Sequence, residues 1–137
     1  VRVIDPRDFI TMPWKNGGGV THEIARRDDG GRMVWRLSIA EVACDGPFSA
    51  FSGMMRVLTV IEGAGMVLDI TGRAVEARRL CPVRFAGDAP VIGRLVSGAV
   101  RDFNLIFDPL RVSGGVEAAE GPVSRTGPLC AVLALSD

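Results

Sequence analysis

From Val34 onward, every apolar or alternating run ends within a dozen residues at a glycine or a proline. That punctuation, 17 Gly and 8 Pro in 137 residues, leaves room for strands and turns but not for a helical stripe. "VWRLSIAEVA" (Val34 to Ala43) alternates, with Trp35, Leu37 and Ile39 on one face and Arg36, Ser38 and Ala40 on the other. "MRVLTVIEG" is apolar on both faces, as a central strand would be, and ends at Gly63. "MVLDI", "AVEARRL", "VIGRLVSGAV" and "RDFNLIF" add further strands, and "TGR" supplies a tight reversal. Only "VEAAEG" (Val116 to Gly121) has the makings of one helical turn, and "CAVLALSD" reads as a last strand returning to the core.

Many short strands at this spacing predict a sandwich or a barrel. The order between Leu58 and Pro90 narrows the choice. A strand ending Glu-Gly, a partner strand, a Gly-centred reversal, a charged strand and an aromatic-x-Gly-Asp-x-Pro turn is the pattern of a cupin jelly-roll β-barrel.

Charge and cysteine content remove several functions. Lys+Arg and Asp+Glu are equal at 16, and no like-charge block exceeds a pair such as Arg26-Arg27, so the basic footprint of a nucleic-acid surface is missing. No apolar run approaches the roughly 20 residues of a membrane span, and no secretory signal is visible, which points to the cytoplasm. Cys44, Cys81 and Cys130 are odd in number and irregularly spaced, suggesting neither disulfides nor a zinc ribbon. With a single histidine, His22, the chain also lacks the three or four ligands of a stable transition-metal site. No metal and no cofactor is expected.

The residues that could carry function cluster in a few places. "MPWKNGGGVTHEI" presents Trp14, the only lysine (Lys15) and Asn16 beside Gly17, Gly18 and Gly19. Glycines let backbone take positive φ or approach another group closely, so this stretch is either a sharp strand entry or a pocket rim. His22 stands between Val20 and Ile24 on one strand face, placed for the core or for a ligand. Arg56, Leu58, Val60 and Glu62 share a face, with the two charges about 20 Å apart and unable to pair. Arg56 suits an incoming carboxylate because its planar fork donates twice. Asp102 and Asn104 face one way together and, if buried, demand hydrogen-bond partners. Trp14 and Phe48 can serve as pocket lids or core plugs.

"MPWKNGGG", "T-x-E-I", "WRLSIAEVACDGPFSAFSG", "R-x-L-T-V-I-E-G-x-G", "RFAGDAP" and "VRDFNL" together resemble the HutD/Ves family over about Val3 to Phe107. The resemblance implies an RmlC-like cupin without the usual metal histidines. It also implies a role in bacterial histidine utilisation, binding N-formylglutamate or a related small acid as a sensor or governor of flux, with no established reaction attached to the family. On this chain the implied ligand site is Trp14, Lys15, Asn16, Gly17, Gly18, Gly19 and Arg56, with support from Phe48 and Glu62; His22 joins the candidate ligand-binding residues from its place on the strand. A metal-independent isomerase, epimerase or hydrolase, pairing His22 with Glu62 or Asp102, is the alternative. A homodimer is plausible for such a fold. Family members carry a second cupin-like half, so residues 1–137 read as one cupin-like domain, best defined over 1–110, with 111–137 a remnant of that half. Met54 and Met55 depart from the family pattern just before Arg56, and "RDDGGRMVW" and "SGGVEAAEGPVSRTGPLC" look like abrupt joins where loops are missing.

Overall fold

The computed structural model describes residues 2–121 and 131–135. A 3-10 turn at Pro6–Asp8 precedes ten strands: β1 (Ile10–Pro13), β2 (Gly19–Asp29), β3 (Arg32–Val42), β4 (Gly46–Pro47), β5 (Met55–Glu62), β6 (Met66–Ile70), β7 (Arg73–Ala77), β8 (Val83–Ala86), β9 (Val91–Leu95) and β10 (Val100–Phe107). They form a six-stranded sheet in the order β1-β2-β3-β10-β5-β8 and a four-stranded sheet in the order β4-β9-β6-β7. Every ladder is antiparallel. The all-β jelly-roll reading therefore holds, with one correction. The two sheets face each other without closing into a barrel, because among the described residues no ladder links their edge strands. Among the described residues the only bridge outside the strands is a single parallel contact between Val60 and Arg79.

Local chemistry explains the turns. Gly30 and Gly31 both have positive φ, 58° and 75°, and join two eleven-residue strands by the tightest hairpin available. "RDDGGRMVW" thus closes as a complete two-residue reversal. Thr71 and Gly72, at φ 52° and 81°, make the reversal expected of "TGR". No helix forms over 116–121, and the described residues 131–135 form no strand; Cys130, Ser136 and Asp137 of that expected strand lie outside the described residues.

The space between the sheets divides into two parts. At one end Ala40, Val42, Leu58, Val60 and Val100 of the large sheet pack against Met66, Leu68, Ala77 and Val91 of the small one, with Phe85 beside them. Full burial of such side chains contributes about 1.5–3 kcal/mol each, so this half holds the sandwich together. At the other end the same inner face of the large sheet turns polar and encloses a cavity. On the outer face, Gly114 lies against Leu105 and Phe107 while its carbonyl accepts from Arg84 at 2.7 Å, so the chain after β10 runs back over that sheet.

Candidate functional site

The cavity has a volume of about 550 Å³, enough for a small metabolite. Its floor comes from three neighbouring strands whose register brings polar side chains into rows. Ile106 of β10 pairs with Arg36 of β3 and Arg56 of β5; Asn104 pairs with Ser38 and Leu58; Asp102 pairs with Ala40 and Val60. Period-2 alternation sends all of these inward, so the face shared by Arg36, Ser38 and Ala40 is the inner one. Trp14, Phe48 and Phe51 supply aromatic walls.

Arg56 is the unusual group. It is 7% exposed, donates from one terminal nitrogen to the Ser49 carbonyl at 2.9 Å, and stands over the rings of Phe51, Phe85 and Phe48 at 5.0, 5.1 and 6.0 Å. Its Nε has no partner, and no carboxylate among the described residues forms an ion pair with it. Burial pulls its pKa down to about 10, opposed by Asp102, so it remains cationic at neutral pH. Three aromatic faces stabilise the charge without consuming its in-plane donors. Arg36 differs in this respect: Glu23, itself buried, neutralises it at 3.0 Å and also meets Arg26 at 3.4 Å.

Asp102 and Asn104 are buried at 1% and 5% exposure. The Asn104 amide nitrogen donates to Asp102 Oδ1, while Asp102 Oδ2 and Asn104 Oδ1 accept nothing from the described residues. Burial pushes the Asp102 pKa up to about 7, against the opposing pull of Asn104 and Arg56.

The glycine-rich stretch acts chiefly through Trp14. A Cβ on Gly19 would stand 2.4 Å from the Glu41 carbonyl and 3.0 Å from the Trp14 ring, so only glycine lets that ring fold over the strand. Trp14 Nε1 then donates to Thr21 at 2.8 Å, and the ring meets Phe48 edge-on at 6.0 Å. Gly17 takes φ 74°, and the Asn16 side chain accepts from Gly18 N at 2.9 Å, closing the loop on itself.

Of the residues singled out from sequence, Trp14, Lys15, Asn16, Phe48 and Arg56 line the cavity. Gly17, Gly18 and Gly19 sit behind it as supports. His22 and Glu62 do not line it. His22 lies on the outer face, accepting or donating to Thr11 at 2.9 Å and Glu41 at 2.6 Å. The His22 bond holds the Glu41 carboxyl below its ordinary range. Glu62 is exposed at the strand end and meets Arg101 at 3.4 Å. His22 therefore reaches neither Glu62 nor Asp102 as the acid–base pairing requires: its carboxylate partner is Glu41. Arg36, Ser38, Thr21, Phe51, Asp102 and Asn104 also line the cavity and were not in the sequence-derived site. The alternation of β3 and "RDFNL" was the signal for Arg36, Ser38, Asp102 and Asn104. Among the described residues no three His, Cys, Asp or Glu side chains converge as a metal site would require, and no helix is long and apolar enough to cross a membrane.

Comparison with known proteins agrees with this architecture. A protein from Pseudomonas putida, named for its place in the hutC 3' region, is 40% identical over 126 residues, covering 88% of this chain and 65% of its own. HutD from Pseudomonas fluorescens SBW25 superposes with a TM-score of 0.74 at 49% identity, covering 77% of this chain and 59% of its own. The chain thus spans about two thirds or less of the relatives it matches. For the fold alone, the Cupin_2 domain of an XRE-family transcriptional regulator from Enterobacter cloacae superposes over 67% of this chain with a TM-score of 0.58 at 23% identity, covering 98% of its own. The HutD family model matches residues 6–131, and with the cupin-like sandwich and these relatives it leads to one conclusion: the chain belongs to the HutD family.

Proposed function

We propose that this chain binds a small carboxylate metabolite of histidine utilisation, N-formylglutamate or a chemically related acid, and acts as a sensor or governor of flux. The observation that carries the reading is Arg56: a buried guanidinium with aromatic support and a free Nε, but no ion pair among the described residues. A buried charge without a counterion is costly, and a ligand carboxylate is the group that would relieve it. Lys15 at the cavity edge adds positive charge, while the Arg36 charge is already neutralised by Glu23. The link to histidine utilisation is supported by family membership and by the hutC neighbourhood in the name of the Pseudomonas putida relative. Binding through Arg56 needs no metal, in keeping with the donor set around the cavity.

Isothermal titration of EDTA-treated protein with N-formylglutamate, glutamate, histidine and urocanate tests the reading. Saturable binding of a carboxylate, weakened about 100-fold or more in Arg56→Ala, is expected, since charge-assisted bonds contribute about 1.5–3 kcal/mol each. Equal affinity in the variant would remove Arg56 from the site.

A further inference from the structure

The rows of the large sheet give the cavity a direction. Arg36 and Arg56 flank Ile106; the next inward-facing row holds Ser38 and Asn104, and the one beyond it holds Asp102. Successive rows are about 7 Å apart along the strand, the span of a small amino-acid derivative. A basic row is therefore followed by an accepting one. In these rows the Asn104 amide nitrogen is already spent on Asp102 Oδ1, and the other side-chain donor is the Ser38 hydroxyl, which makes no side-chain hydrogen bond to either remaining oxygen. Two oxygens remain, Asn104 Oδ1, which can only accept, and Asp102 Oδ2, which accepts once the carboxyl is ionised; both are on side chains more than nine-tenths buried that line the cavity and receive no hydrogen bond from the described residues. Leaving such a group unmatched costs about 1–3 kcal/mol. The aromatic walls offer no remedy, because the Trp14 N–H is engaged by Thr21.

We propose that Asp102 and Asn104 form a second subsite that accepts hydrogen bonds from an N–H of the ligand, so that the cavity selects carboxylates bearing an amide or amine N–H over carboxylates without one. The proposal rests on Arg56 holding the ligand carboxylate. It goes further in assigning the other end of the ligand a required donor. A site built to receive N–H groups rejects an analogue lacking them, because its buried acceptors are then left unpaired.

A matched pair of probes isolates this end. N-acetylglutamate and its ester analogue, (S)-2-acetoxyglutarate, differ in a single N–H replaced by oxygen, with shape and both carboxylates unchanged; glutarate completes the set. Titrated into the intact chain, the amide is expected to bind at least tenfold more tightly than the ester, and the ratio is expected to fall towards one in Asn104→Leu. Equal affinity of amide and ester in the unaltered protein overturns the subsite, whatever becomes of the variant. If that equality comes with clear glutarate binding, Arg56 as the carboxylate site survives and only the N–H subsite fails. If none of the three binds, the carboxylate reading fails and this inference with it.

Discussion

Arg56 and Asp102 both place function in conflict with stability. Replacing Arg56 by methionine keeps much of the packing against Phe51 and Phe85 and removes an unpaired buried charge. Arg56→Met is therefore expected to unfold at higher denaturant concentration, by about 1–2 kcal/mol, while losing carboxylate binding; a destabilised variant would show that the charge is internally satisfied. Asp102 has a folded-state pKa raised to about 7 from an ordinary value near 3.8. The folded state thus holds a proton that the unfolded chain releases, and the stability this contributes is present below pH 4 and lost as pH rises through 7. In chemical denaturation, Asp102→Asn is expected to be more stable than the parent at pH 8, with the difference shrinking towards pH 5; a constant difference would contradict burial of an ionisable carboxyl. His22, by contrast, holds an outer-face pair with Glu41, whose side chain is half exposed. His22→Ala is expected to leave ligand affinity unchanged and to cost under about 1 kcal/mol. A tenfold loss of affinity would bring His22 back into the site.

Among the elements, two glycines set the shape of the cavity. Gly93 of β9 faces the Phe48 ring, where a Cβ would approach Cζ to 2.7 Å, and Gly19 of β2 faces both the Trp14 ring and backbone. Phe48 can rotate away, whereas the Glu41 carbonyl cannot. Gly19→Ala is expected to destabilise more than Gly93→Ala, by roughly 1–3 kcal/mol or more, with lost Trp14 fluorescence shift on ligand addition. The reverse order would mean that Trp14 is not held by this approach. Alternation made β3 and β10 legible in the sequence, down to the faces carrying Arg36, Ser38, Asp102 and Asn104. Which face meets the other sheet was not legible, because the outer side of β3 also buries Leu37 and Ile39 at 7% and 4% exposure. Hence Asp102 and Asn104 read only as a pair in need of partners if buried, with Asp102 an acid–base candidate in the alternative reading. The β2 register shift after Glu23 was equally invisible from sequence; Glu23 itself faces Arg36 by the same alternation that turns Thr21 inward. His22 failed as a pocket residue for a simpler reason: its apolar neighbours Val20 and Ile24 are only half buried, on the solvent side of an outer strand pair.

For the whole molecule, the sandwich is divided between an apolar end that supplies stability and a polar end that supplies a receptor. The division follows from one sheet whose inner face changes from Val60 and Val100 to Arg56 and Arg36 along the same strands. Such a cavity gives binding without requiring a catalytic pair, and its cation is preorganised by rings rather than by a counterion. The most direct test is titration of the metal-stripped chain with N-formylglutamate, carried out in parallel on Arg56→Ala. Saturable binding by the parent and its loss in the variant is the expected result. Binding that survives loss of the guanidinium, or no binding of any small carboxylate by the parent, would contradict the account at its centre.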